Sequence, residues 1–123
     1  MTDAEIITQI MRVDPATIGV INPDMRRLGS KSIAKAIRSL LKSHGIKCVR
    51  CTMDRHWTGG VTLHIDRPEN RTTWRNDEGI RFVVGKATIR IRQIVLAAFP
   101  DLHDRTDPSG DSCVGDTCFR VTY

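Results

Sequence analysis

Residues 30–45 read Ser-Lys-Ser-Ile-Ala-Lys-Ala-Ile-Arg-Ser-Leu-Leu-Lys-Ser-His-Gly, and this segment has the clearest structural pattern in the chain. At about 100° per residue, its large apolar side chains fall on one side of a helix. Its basic side chains fall within about 60° of one another on the opposite side. The two groups are Ile33, Ile37, Leu40 and Leu41, and Lys31, Lys35, Arg38 and Lys42. Ser30 or Ser32 is a candidate N-cap, and Gly45 after His44 marks the end, so we predict an amphipathic helix.

The segments on either side of this helix alternate between helical and strand patterns. Thr2-x-x-Glu5 fits a capping box that begins a first helix, which Asp14-Pro15 ends. Two hairpins are predicted from segments 46–53 with 61–65 and 71–75 with 80–84, followed by a third helix over 86–98 and a closing strand over 117–123. We therefore predict an α+β fold, with a mostly antiparallel sheet, two amphipathic helices packed on one face and an N-terminal helix.

The same patterns predict which side chains form the core. The run at 18–21 is continuously apolar, so we expect it to be a short buried segment. The expected core residues of the helices and strands are Ile33, Ile37, Leu40, Leu41, Val49, Val61, Leu63, Phe82, Ile91, Ile94 and Val95.

Length and composition indicate a single folded domain over residues 1–123. The chain is 40% hydrophobic and 27% charged, which excludes disordered and collagen-like classes. No apolar run reaches the roughly 18 residues of a membrane span, and the acidic start is unlike a signal peptide. We therefore expect a cytoplasmic protein with no membrane partner.

The charge is unevenly distributed along the chain, although its sum is only +5. Residues 1–24, the acidic N-terminal helix and turn, hold one basic and four acidic side chains. Residues 25–99, the basic α/β core, hold sixteen basic and five acidic side chains. The acidic loop and closing strand at 100–123 hold two basic and five acidic side chains. A basic middle between acidic ends favours attraction to polyanions such as nucleic acid. The alternative is that these charges only solvate the surface.

Ten residues are candidates for nucleic-acid contact. Six of them lie on the central helix and at the strand after it. The other four are two arginines, each near a tryptophan whose ring could stack on unpaired bases. They are Lys31, Lys35, Arg38, Lys42, Lys47, Arg50, Arg55, Trp57, Trp74 and Arg75. Alternatively, both tryptophans belong to the core.

Four cysteines form two close pairs, Cys48-x-x-Cys51 and Cys113-x₄-Cys118. Two pairs separated by a long insertion are compatible with a structural zinc site. However, the first pair lies in a predicted strand without the glycine turn of a zinc knuckle, so we favour free or buried thiols and assign no metal. A disulfide would be unexpected in a reducing compartment.

Motifs typical of enzymes are absent from the sequence. There is no G-x-S-x-G turn, no P-loop and no glycine-rich dinucleotide turn, so no catalytic residue and no cofactor are expected. His64 and Asp66 alternate onto one strand face near His56, but no second carboxylate pair supports a metal-dependent nuclease.

Residues 28–66 resemble a known family. The helix spacing K-x-x-A-K-x-I-R-x-x-L-K from Lys31 to Lys42, followed by Ile46-Lys47-Cys48-Val49-Arg50 and by Gly60-Val61-Thr62-Leu63-His64-Ile65, is similar to small domains associated with large polyvalent proteins of phages and conjugative elements. The resemblance implies an origin in a phage, prophage or plasmid and no catalytic residues. Small proteins of such origin are often anti-defence factors, including CRISPR inhibitors. This expectation rests on analogy with that class of proteins and not on particular residues.

We therefore expect a small non-enzymatic accessory protein of a phage or mobile element that binds nucleic acid or a nucleoprotein complex through a basic surface. One alternative is an anti-defence inhibitor that acts by protein–protein contact, as anti-CRISPR proteins do. Another is a zinc-stapled or zinc-dependent domain.

Overall fold

A computed structural model describes residues 2–22, 29–53, 60–65, 71–75, 81–104 and 118–122. The helices are α1 (Asp3–Met11), α2 (Ser30–Ser43) and α3 (Lys86–Ala98), and a short 3-10 helix spans Pro15–Thr17. The strands are β1 (Val49–Met53), β2 (Val61–Ile65), β3 (Arg71–Arg75), β4 (Arg81–Gly85), β5 (His103–Asp104) and β6 (Cys118–Thr122). The predicted α+β class and the N-terminal helix are confirmed.

The ends of α1 and α2 follow from local chemistry. Thr2 caps α1, since its hydroxyl accepts a hydrogen bond from the Glu5 N–H at 3.2 Å. At the end of α2, Gly45 has a φ of 76°, a left-handed conformation that glycine adopts without a steric penalty. The N–H groups of Gly45 and Ile46 then donate to the carbonyls of Lys42 and Leu41, at 3.0 and 2.9 Å. This pair of bonds is the Schellman motif, so the predicted end of the helix is confirmed.

The start of α2 differs from the predicted serine cap. Gly29 occupies the N-cap position and has no side chain to offer. The Ser30 hydroxyl instead accepts a hydrogen bond from the Gly60 N–H at 2.9 Å. This bond ties the first turn of α2 to the residue that precedes β2.

The sheet topology is mixed. β1 and β2 pair antiparallel, as do β3 and β4, so both predicted hairpins are confirmed. The four-stranded sheet has the order β1-β2-β6-β5, and β6 runs parallel to both of its neighbours. The mostly antiparallel prediction did not include these parallel pairings, which require long connections. Such connections exist, because 52 residues separate β2 from β6 and 13 separate β5 from β6.

The helices enclose one hydrophobic cluster together with the four-stranded sheet. α2 contacts β1 and β2, α3 contacts β6 and α2, and α1 packs on α3. The Arg90 guanidinium of α3 donates to the Val13 carbonyl at 2.8 Å, which fixes the segment after α1. None of the described helices has the length and apolar character needed to span a membrane.

Most of the predicted core is buried. Nine of the eleven expected residues are buried, Val49 is half-buried against the cluster, and the side chain of Phe82 lies outside the described residues. The prediction that run 18–21 is buried was wrong, since Val20 and Ile21 are 59% and 60% exposed. Ile21 does not enter the sheet: its N–H donates to the Ala98 carbonyl at the end of α3, at 2.9 Å.

Candidate nucleic-acid interface

The four basic side chains of α2 face solvent. Lys31, Lys35, Arg38 and Lys42, hereafter the basic face, are all exposed. At a rise of about 1.5 Å per residue, they extend along roughly 16 Å of helix. The remaining exposed side chains of α2 are serines, namely Ser32, Ser39 and Ser43. The exposed side chains of α2 are therefore all basic or hydroxyl-bearing, and none is acidic, although the Ser43 hydroxyl already donates to the Leu40 carbonyl at 2.7 Å.

The orientation of the basic face is fixed by the opposite side of the same helix. Ile33 and Ile37 are fully buried, and Leu40 and Leu41 are 2% and 3% exposed. A rotation of the helix that hid the basic side chains would expose these four, each of which gains ~1.5–3 kcal/mol from burial. The core therefore sets which residues α2 presents to solvent.

Arg38 differs from the three lysines because it is bound within the protein. Its Nε and Nη2 atoms donate to the Cys51 carbonyl oxygen of β1, at 3.1 and 2.6 Å. Among the described strands, β1 is the outermost of its sheet on that side, so this contact joins α2 to the edge of that sheet. By contrast, Lys31, Lys35 and Lys42 have no ion pair or side-chain hydrogen bond among the residues that the structure describes. These three lysines are the available cations of the basic face.

The basic side chains outside α2 also divide into bound and exposed groups. The Arg90 and Arg92 side chains of α3 bind the Val13 carbonyl and the Asp104 carboxylate respectively. Lys47 is exposed, and its backbone N–H donates to the Gln9 side chain of α1 at 2.7 Å. The positive charge of the central segment is therefore only partly free to attract a ligand.

Arg50 belongs to a different surface from the basic face. It is exposed on β1 next to Cys51, which is buried under α2. Since successive strand residues point to opposite faces, Arg50 lies on the sheet face away from α2, in register with His64 of β2. The structure thus separates two basic regions that the sequence analysis had treated as one.

None of the four arginine and tryptophan candidates has a side chain among the described residues. Arg55 and Trp57 lie outside the described residues. Trp74 and Arg75 belong to β3, which pairs with β4 in a separate two-stranded sheet, and their side chains are outside the described set. Their predicted stacking role stays a prediction.

The first cysteine pair consists of buried thiols. Cys48 and Cys51 are 5% and 6% exposed and form no disulfide. The Cys51 thiol lies 3.7 Å from the Ala34 carbonyl of α2. Burial raises the pKa of Cys51 from 9.0 to about 11, partly opposed by the nearby Arg38 charge. The thiol is therefore protonated at neutral pH, which disfavours both nucleophilic attack and metal binding.

The zinc and histidine hypotheses have no assembled site in the part of the chain that the structure describes. There, no three His, Cys, Asp or Glu side chains approach closely enough to hold a metal ion. Cys113, His56 and Asp66 lie outside the described residues, and Cys118 begins β6 with its side chain outside that set. The zinc alternative stays untested.

Two features of this surface were missed by the sequence analysis. The serine row Ser32, Ser39 and Ser43 could have been found, because the spacing of seven and four residues places it beside the basic face. The attachment of Arg38 to β1 had no such signal, since it depends on how α2 packs against the sheet.

Comparison with protein-family models, curated proteins and solved structures finds no match to this chain.

Proposed function

We propose that this protein is a non-enzymatic nucleic-acid-binding protein that contacts phosphates through the basic face of α2. The observation that carries the proposal is that Lys31, Lys35 and Lys42 are exposed in one row, without an acidic partner among the described residues. The expected origin in a phage or mobile element is compatible with such a role and rests on the resemblance alone.

The spacing of charges on α2 favours binding over simple solvation. Lys31 and Lys35 are four residues apart, Lys35 and Arg38 three, and Arg38 and Lys42 four, so neighbouring cations repel one another. Each like-charge pair at such spacing destabilises a helix by ~0.2–0.5 kcal/mol. A helix face that only needed solubility would gain from acidic residues at these intervals, and α2 has none. A bound polyanion removes the repulsion.

The proposal is tested by comparing two variants with the same loss of charge. Lys35→Gln/Lys42→Gln removes two cations of the basic face, whereas Arg12→Gln/Lys86→Gln removes two exposed cations elsewhere. Binding of labelled DNA and RNA is measured by fluorescence anisotropy at low salt, and circular dichroism checks that each variant is folded. Since each phosphate contact contributes a factor of about eight near 0.1 M salt, the first variant should bind at least tenfold more weakly. The second should change less than about threefold.

Two results would overturn the proposal. One is that the wild-type protein binds neither DNA nor RNA at low salt, which would favour the protein-contact alternative. The other is that both variants weaken binding equally, which would show that total charge matters and the basic face does not.

A further inference from the structure

We infer that the ligand is a double-helical nucleic acid, bound through its phosphate backbone without reading of base sequence. This inference rests on the proposed function and specifies its ligand. Duplex DNA and duplex RNA share the required chemistry, a stiff and closely spaced line of phosphates.

The chemistry of the exposed surface of α2 disfavours unpaired bases as ligands. Proteins that bind single strands combine a basic groove with aromatic side chains on which the bases stack. The exposed side chains of α2 are Lys31, Ser32, Lys35, Arg38, Ser39, Lys42 and Ser43, and none of these is aromatic or apolar. Such a surface donates hydrogen bonds to phosphate oxygens and has nothing on which a base would stack.

Rigidity and charge density favour a duplex. Because the buried face of α2 is packed against β1 and β2, the lysine row is held straight over roughly 16 Å. A duplex carries one negative charge per about 1.7 Å of axis with both strands counted, so about ten phosphates surround a duplex segment of this length. A single strand has about half that charge density and must also lose conformational freedom to follow a straight row.

The contact of Arg38 with β1 removes the best base reader from the surface. An arginine fork is the most common specific contact to guanine, and asparagine or glutamine reads adenine. The Nε and Nη2 atoms of Arg38 already donate to the Cys51 carbonyl, and α2 contains no asparagine or glutamine. The remaining cations are lysines, which can also reach guanine but, as flexible point charges without a planar fork, discriminate between bases less than arginine does.

The test measures the affinity of the wild-type protein for four probes between about 50 and 200 mM salt. They are two DNA duplexes of unrelated sequence, one RNA duplex and single-stranded oligo-dT, all of about 24 nucleotides per strand. We expect the two DNA duplexes to bind within about threefold of each other, and oligo-dT to bind at least tenfold more weakly than the better duplex type. A preference between the DNA and RNA duplexes then shows whether the ligand is duplex DNA or duplex RNA.

Single lysine variants show whether the row itself makes the contacts. Lys31→Gln, Lys35→Gln and Lys42→Gln should each reduce the slope of log K against log salt by about 0.9 on duplex DNA, or by a similar amount on duplex RNA if that binds better. Lys86→Gln is the matched control, because it removes an exposed cation from α3, and its slope should equal that of the wild type.

The failure of this inference is distinguishable from that of the proposed function. Tighter binding of oligo-dT than of all three duplexes would overturn the inference but leave nucleic-acid binding in place. A difference in affinity above about thirtyfold between the two DNA duplexes would have the same consequence. Unchanged slopes in all three lysine variants would instead overturn the basic face as the contact surface, which is part of the proposed function, and would leave only nucleic-acid binding elsewhere on the protein. Absence of binding to every probe would overturn the proposed function itself.

Discussion

Replacing Arg38 by methionine should destabilise the protein, whereas the same replacement of Lys35 should not. Both side chains belong to the basic face and are exposed. Methionine keeps the apolar stem of either side chain and has a similar helix propensity, so the two variants differ mainly in what they disconnect. Arg38→Met removes the two hydrogen bonds to the Cys51 carbonyl, and Lys35→Met removes no bond to a described residue.

The magnitude follows from the geometry of this contact. A hydrogen bond from a charged donor contributes ~1.5–3 kcal/mol, but here two bonds share one acceptor and are only partly buried. Loss of repulsion from Lys35 and Lys42 returns a few tenths of a kcal/mol. A net loss of about 1–2 kcal/mol remains. For 123 residues, the entropy of unfolding is roughly 0.26 kcal/mol/K, so the melting temperature should fall by about 4–8 °C. Lys35→Met should stay within about 2 °C of the wild type, since it only relieves repulsion.

The assay is thermal unfolding followed by circular dichroism at neutral pH, with both variants at equal concentration. Nucleic-acid binding should follow the opposite order, with Lys35→Met weaker than Arg38→Met when both are assayed well below their melting temperatures. Equal melting temperatures for the two variants would refute the role of Arg38 as a link between α2 and β1. In that case Arg38 would be, like the three lysines, a cation available to a ligand.

Three further predictions concern the core, the buried thiol and the ion pair of α3. Leu63→Ala in the fully buried centre of β2 should cost ~2–5 kcal/mol in chemical denaturation, whereas Met53→Ala, at a side chain that is 39% exposed, should cost less than ~1 kcal/mol. Because the pKa of Cys51 rises from 9.0 to about 11 on folding, the folded protein keeps a proton that the unfolded chain loses. Stability should therefore fall between about pH 9 and 11, by up to ~1.4 kcal/mol per pH unit, and Cys51→Ala should lack this part of the slope. Asp104→Asn should lower the free energy of unfolding by ~1–3 kcal/mol, because it removes the charged partner of Arg92.

Each of these changes also has an outcome that would contradict the structural reasoning. A loss for Leu63→Ala no larger than for Met53→Ala would place β2 outside the core. Parallel pH profiles for the wild type and Cys51→Ala would mean that burial does not shift the thiol pKa. If Asp104→Asn lowers the free energy of unfolding by less than ~0.5 kcal/mol, the ion pair contributes no more to stability than an exposed surface pair does.

The sequence predicted α2 in most respects, because its signals are local. A period of 3.6 residues separates Ile33 and Ile37 from the basic face, and Gly45 ends the helix where a left-handed residue is needed. The same kind of signal predicted the cap at Thr2 and both hairpins, whose partner segments are close in the chain. It failed for Val20 and Ile21, because an apolar run does not tell whether a surface is available to cover it.

The parallel pairings of β6 could not be predicted in this way. The alternation of residues 118–122 indicates a strand but not its neighbours, since a partner 52 residues away leaves no local pattern. The insertion of β6 between β2 and β5 depends on how the connecting elements pack. This placement buries Phe119 and Val121, two core residues that the sequence analysis did not name.

The spacing of residue types is sufficient to predict a helix with four cations on one side and an apolar face on the other. By contrast, the packing of α2 against the sheet binds Arg38 to the Cys51 carbonyl, 13 residues further along the chain, and leaves three lysines exposed. No sequence pattern shows whether a backbone carbonyl lies at a sheet edge, because the position of that edge is set by long-range packing.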